Sequence, residues 1–261
     1  MGDSLPYGWD TVSPGQSAFS PPSSHVGYPE TLAKRSPLEV TNAACPGETS
    51  GSFVVRTLET LDNGCGFVAG AVGLKVDWAG SSQLEFAEAF LLDNPDTGLV
   101  SIQLGANDLF LCQKGVTGDG VPGCAPQEFE AVLAETAGNL QTSLFRLRAT
   151  GYDGPIVLVA YYSLDYGDPV ELAIADASRS LIRSLAGSGA FGDVVVADGF
   201  AAYEQATRRA DGDTCAAGLI LPLGGGACDV HTTPAGDRVM AQAVRRAIDL
   251  GEIVSSNRSG R

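Results

Sequence analysis

Ile156-Val-Leu-Val-Ala-Tyr-Tyr162, entered through Gly154-Pro155, is an unbroken apolar run rich in β-branched and aromatic residues. A second run, Val194-Val-Val-Ala197, follows Gly192-Asp193 in the same way. Strands with no polar alternation are buried on both faces, as in parallel sheets covered by helices. Around these two runs, Leu99-Val-Ser-Ile-Gln-Leu104 alternates and breaks at Gly105, and Leu38 to Ala43 reads as a further short strand.

Helical spacing fills the intervals. Ser82 to Leu92 puts Leu84, Ala87, Phe90 and Leu91 on one face, and Gln127 to Arg148 carries an apolar stripe from Phe129 to Leu147. Val170 to Leu185 and Pro234 to Leu250 repeat the pattern, the last with Thr232 or Thr233 as N-cap and Pro234 as its first residue. A shorter helix is expected over Gly27 to Lys34. Strand–helix alternation along the chain predicts an α/β three-layer α/β/α sandwich with a mainly parallel sheet. Residues 1–254 read as one domain, and 255–261 as a polar, disordered tail. Val12 to Ser24, rich in Ser, Pro and Gly, reads as a long loop that could shape a substrate mouth.

The chain has 261 residues, 31 acidic against 16 basic, and a net charge of −15. Such a balance repels phosphate-rich partners, so nucleic acid and anionic membranes are set aside in favour of a neutral or weakly charged small molecule. No apolar run reaches the 18 or so residues that a membrane span requires. A monomer is expected.

Six cysteines stand at 45, 65, 112, 124, 215 and 228. Their spacing favours three local bridges, Cys45–Cys65, Cys112–Cys124 and Cys215–Cys228, and hence an oxidising, extracellular setting. Metal binding is the competing reading. It calls for clustered ligands such as C-x₂-C, which the chain lacks, so no metal is expected at the cysteines.

Four short stretches carry the candidate chemistry: Gly2-Asp3-Ser4-Leu5, Cys45-Pro-Gly-Glu-Thr-Ser50, Gly105-Ala-Asn-Asp108 and Asp229-Val-His231. Crevices in open α/β sheets form at the carboxyl ends of the strands, so residues this far apart can converge there. Acyl transfer requires a nucleophile, a base, and donors aimed at a developing oxyanion. Ser4 offers a hydroxyl at a strand-to-helix turn. Gly47 offers a backbone N–H with no Cβ in the way, and Asn107 a side-chain amide. Of the two histidines, His25 lies at the Ser/Pro-rich loop, whereas His231 has an acid two residues before it. Each residue taken alone has a plainer use. A loop serine commonly caps a helix, and an asparagine commonly satisfies its own turn.

In this order and spacing, the four stretches resemble the four sequence blocks of the SGNH/GDSL hydrolase superfamily. Gly27-Tyr-Pro-Glu30, Ala44-Cys-Pro-Gly-Glu-Thr-Ser50, Ser82-Gln-Leu84 and Gly105-Ala-Asn-Asp-Leu109 with Cys112 are similar to its secreted, disulfide-containing bacterial branch. The resemblance covers essentially the whole chain. It implies a flavodoxin-like parallel sheet and an esterase or lipase acting through an acyl-enzyme. Ser4 would be nucleophile and first oxyanion donor, Gly47 and Asn107 the other donors, and His231 the base. A small-molecule or lipid ester would be the substrate. A catalytically silent glycan- or lipid-binding protein on the same fold is the alternative.

Two departures from the family pattern stand out. The family aspartate lies three residues before the histidine, where this chain has Cys228. Either Asp229 reaches the imidazole through a different local turn, or a backbone carbonyl orients the ring. The family also runs a buried strand into the Gly-Asp-Ser motif, whereas only Met1 precedes Gly2 here. The natural chain is therefore expected to begin upstream, with a strand and an export signal. Gly118-Asp-Gly-Val-Pro-Gly123 matches G-x-G-x-x-G in form only, since it contains a proline and does not directly follow a strand.

Overall fold

The computed structural model describes residues 1–34, 36–78, 80–115 and 123–248. The first half holds α1 (Ser4–Tyr7), α2 (Tyr28–Ala33), α3 (Ser50–Val54), α4 (Cys65–Ala71), α5 (Gln83–Asp93), β1 (Val100–Ile102) and α6 (Ala106–Gln113). The second holds α7 (Pro126–Ala149), β2 (Ile156–Val159), α8 (Pro169–Gly187), β3 (Val194–Ala197), α9 (Gly199–Thr207), β4 (Ile220–Gly224), β5 (Ala227–Thr232) and α10 (Pro234–Ala247). The fold is the expected α/β sandwich. β1, β2 and β3 form a parallel sheet in that order, with Ile156 opposite Val100 on one side and Val194 on the other.

β2 shows how the apolar run builds three layers. Successive side chains of a strand point to opposite faces, and Val157 and Val159 pack with Met240 and Val244 of α10 and Tyr203 of α9. Ile156 and Leu158 pack into the other layer, against Leu140, Leu144 and Leu147 of α7 and Ile182 of α8. All four strand residues are essentially inaccessible to solvent. Burying one such side chain contributes about 1.5–3 kcal/mol, so a polar residue here would cost several kcal/mol.

The helices start where their caps stand. The Ser82 side chain accepts the Glu85 N–H while Glu85 reaches back to the Ser82 N–H, a capping box that opens α5. Thr233 caps α10 with Pro234 in its first turn, and Asp168 caps α8.

The first residues of the chain sit beside β1. The Met1 amine donates to Ser101 O at 2.9 Å, and Gly2 forms a parallel bridge with Gln103. Gly2 has φ +129°, and a Cβ there would lie 2.1 Å from Gln103 O, so only glycine allows this approach.

One expectation is corrected. Leu38 to Ala43 forms no strand; it runs without regular structure. Its alternation suits a pairing edge, but the stretch instead packs through Leu38, Ala43 and the Asn42 side chain, whose amide donates to Pro6 O and Glu30 Oε1. His231 lies in β5, the second strand of an antiparallel hairpin with β4. The G-x-G-x-x-G stretch, apart from Gly123, and the tail 255–261 lie outside the described residues. Among the described residues no helix is long and apolar enough to cross a membrane.

Candidate active site

Ser4 is the first residue of α1, just past the Gly2–Gln103 bridge. Asp3 caps the helix by accepting the Leu5 N–H at 3.0 Å, and its other carboxylate oxygen accepts from the Tyr161 hydroxyl. The Asp3 N–H is held by Gln103 O at 3.2 Å. The turn is thus fixed on both sides of Ser4. Among the described residues, neither the Ser4 hydroxyl nor its backbone N–H has a protein hydrogen-bond partner. Burial pushes the Asp3 carboxyl up to about 6, against the pull of Tyr161, the Leu5 N–H and nearby His231.

Gly47 sits in the loop closed by the Cys45–Cys65 disulfide. Its φ is +86°, and a Cβ would come within 2.6–2.8 Å of Asn63 and Gly64 backbone atoms. The Gly47 carbonyl accepts the Asn63 N–H at 2.7 Å, while the Gly47 N–H has no partner among the described residues. Asn107, in the first turn of α6 and only 5% exposed, donates through Nδ2 to Glu48 O at 2.9 Å and accepts from Asn63 Nδ2. The second and third stretches are therefore joined directly. Asp108 adds a second tie, accepting from the Ser50 N–H and hydroxyl.

Behind this loop lies a fully buried carboxylate, Glu48. It accepts from Gln83 Nε2 at 2.9 Å and from Arg56 at 2.9 Å, while Gln83 Nε2 also donates to Gly2 O. The Gly47 loop and the Ser4 turn thus share one polar bridge. Burial pushes the Glu48 carboxyl up to about 7, against the Arg56 charge and the Ser52 and Gln83 hydrogen bonds. Sequence reasoning gives Gln83 no role beyond its place in Ser82-Gln-Leu84. The one signal of its role was a polar side chain next to Leu84 at the start of an apolar helix.

His231 and Asp229 lie on β5. His231 Nδ1 is 2.6 Å from Asp229 Oδ1, and the His231 N–H donates to the same oxygen at 3.1 Å. Taking both the backbone N–H and the ring of the residue two ahead is an Asx-turn arrangement, set where the β4–β5 register shifts, and it is how an acid two residues upstream reaches the ring. Between the two openings left by the sequence, the carboxylate is the ring's partner. The Asp229 carboxyl is held below its usual range, chiefly by the His231 hydrogen bond. The Cys215–Cys228 disulfide anchors the hairpin one residue before Asp229. Tyr162, at the end of the β2 run, donates to Val230 O and ties the hairpin to the sheet.

β5 packs against α1, so the His231 strand lies beside the Ser4 helix. No hydrogen bond joins the Ser4 hydroxyl to the imidazole among the described residues. A crevice of about 190 Å³ opens at Ser4 and Asn107, walled by α6, α8 and the residues after β2. Val12 to Ser24 does not line it, contrary to expectation. His25 is elsewhere, buried between the rings of Trp9 and Tyr7. All six cysteines are paired as spacing favoured, with none left free to hold a metal.

The family profile of the GDSL-like lipases and acylhydrolases matches residues 1–239. The chain belongs to this family of hydrolases. Its fold is similar to that of LAE5, an α/β hydrolase enzyme from the metagenome of Lake Arreo, Spain. That likeness has a TM-score of 0.54 at 16% identity and covers 97% of this chain and 93% of the other. It is also similar to Axe2, an acetylxylan esterase from Geobacillus stearothermophilus, with a TM-score of 0.54 at 18% identity over 95% and 91% of the two chains. No curated protein matches its sequence.

Proposed function

We propose that this protein hydrolyses carboxylic esters through an acyl-enzyme formed on Ser4. The observation that carries the reading is the Asp229–His231 pair, set on a disulfide-anchored hairpin that packs beside the Ser4 turn. A ring held at Nδ1 by a carboxylate presents Nε2 for proton transfer. Family membership and the esterase likeness support the same reaction class.

In this reading the Ser4 hydroxyl attacks the ester carbonyl carbon and gives its proton to His231 Nε2. The tetrahedral oxyanion takes hydrogen bonds from the Ser4 N–H, the Gly47 N–H and the second hydrogen of Asn107 Nδ2. Collapse breaks the ester C–O bond, and the leaving alkoxide takes the proton back from the imidazolium. Water then attacks the acyl-enzyme with His231 again accepting a proton, which releases the acid and restores Ser4. Catalytic hydrogen bonds are often long before substrate binds, so an unclosed Ser4–His231 bond is compatible with this role. No metal or organic cofactor enters any step.

Three disulfides support an extracellular, oxidising setting. The acidic charge favours a neutral ester over nucleic acid or an anionic membrane as partner, and we read the chain as acting as a monomer. The test is turnover of p-nitrophenyl esters by the wild type and Ser4→Ala. A loss of at least a thousandfold in kcat is expected on removing the nucleophile, on the order seen for other serine hydrolases. Equal rates would remove Ser4 from the mechanism and leave a ligand-binding role.

A further inference from the structure

We infer that the crevice beside Ser4 holds the acyl chain of the ester and selects medium-length chains, with the α8 face as its gauge. This rests on the ester-hydrolase reading and adds the substrate class.

The walls come from two helix faces and one loop. Glu171, Ile174, Ala175 and Ser178 line the crevice, and their spacing of three, four and seven puts them on a single face of α8. Leu109, Phe110 and Gln113 of α6 stand across from them. The remaining wall is Tyr161 to Leu164. Its hydroxyl hydrogens are already spent: Tyr161 donates to Asp3, Tyr162 to Val230 O, and Ser163 to Asp165 O at 2.8 Å. That wall offers ring and methylene surface to a guest rather than donors. A sugar would find acceptors but no hydroxyl donors on that wall, while an alkyl chain needs neither.

The geometry also separates acyl from alcohol. The leaving alcohol must lie where His231 can return a proton to it. Val230 lines the crevice, but Asp229 and His231 do not. The alcohol therefore lies on the imidazole side, and the acyl chain fills the crevice that the imidazole does not line. Asn107 also lines the crevice, which places the carbonyl at its mouth.

Size sets the class. The crevice measures about 190 Å³. An apolar cavity of roughly 150 Å³ takes a six-carbon ring, so this one suits acyl chains of about six to eight carbons. An acetyl group would leave most of it empty. A buried methylene contributes about 0.8 kcal/mol, or roughly fourfold in kcat/KM for each carbon added until the crevice is full.

The experiment measures kcat/KM for p-nitrophenyl acetate through laurate with the wild type, Ser178→Leu and Ile174→Ala. Both positions are partly exposed, and circular dichroism with thermal melting checks that each variant folds. The wild type should climb with chain length to an optimum at about six to eight carbons. Ser178→Leu should shorten that optimum by about two carbons, and Ile174→Ala should lengthen it. Ser4-dependent turnover that is flat with length, peaks at acetate, or keeps its profile in both folded variants overturns the acyl assignment alone. Absence of Ser4-dependent turnover with every ester overturns the hydrolase reading and this inference with it.

Discussion

His231 Nδ1 and Asp229 Oδ1 lie 2.6 Å apart although the two residues are separated by only one position in the chain. A local irregularity of β5 makes this possible: the hairpin shifts register between the Ile220–Thr232 and Pro222–Cys228 pairs, and Asp229 Oδ1 takes both the His231 N–H and the ring nitrogen, as in an Asx turn. In the family pattern the acid stands three residues before the histidine, a spacing that suits a coiled turn. The irregular stretch of β5 allows the shorter spacing. Cys228, at the position that the pattern gives to the acid, is bridged to Cys215 instead.

Asp229→Asn should therefore retain the fold but lower kcat by about 10²–10⁴, because an amide no longer fixes the tautomer or stabilises the imidazolium. His231→Ala should lower it at least as far. Steady-state ester kinetics on both variants check this, and an Asp229→Asn enzyme with wild-type kcat would mean that the carboxylate merely shapes the hairpin.

Asn107→Ala should reduce kcat by about 10²–10³ with a smaller change in KM, as expected on losing a donor that acts mainly on the oxyanion. Because Asn107 also donates to Glu48 O, thermal melting of the variant is needed beside the kinetics. A change in KM alone would argue against an oxyanion role.

Removing the Cys215–Cys228 bridge by a double substitution to serine should cost about 2–3 kcal/mol of stability, the range for closing a loop of this length. Activity should fall further than that of a Cys112–Cys124 double variant, since only the 215–228 bridge anchors the strand that carries His231. Urea titration and ester turnover measure the two effects. Equal loss of activity from both would contradict it.

Stability should decline as pH rises from about 4.5 to 7. Burial raises Glu48 and Asp237 to about 7 and Asp3 to about 6, so across that window the folded chain binds more protons than the unfolded one. The slope of unfolding free energy with pH is then negative. Thermal midpoints should be higher near pH 5 than near pH 8, with Glu48→Gln flattening part of the slope. A midpoint that climbs steadily from pH 5 to 8 would show that these carboxyls ionise normally in the fold.

Much of the architecture was legible because it rests on local signals. The Ile156–Val159 and Val194–Ala197 strands and the helices starting at Gln83, Pro126, Pro169 and Pro234 follow from continuous apolar runs, helical stripes and caps. The β4–β5 hairpin was not legible. Its short strands hold a proline, a glycine and an acid with little alternation, and their pairing is supported by tertiary ties such as the Tyr162–Val230 bond. Leu38 to Ala43 failed in the opposite sense, with strand-like residues and no strand to pair with.

The order of residues alone pointed to a serine, a glycine, an asparagine and a histidine as the groups to bring together, and to six cysteines closing three short loops. It could not determine which group orients His231, or that Gln83 and Glu48 join the Gly47 loop to the Ser4 turn. Nor could it show that the crevice runs along α8 while the Val12–Ser24 loop stays outside it. Apolar periodicity and cap chemistry act over a few neighbouring residues and so are written locally. Hydrogen bonds between groups 35 to 158 positions apart exist only once the packed sheet has brought those groups together.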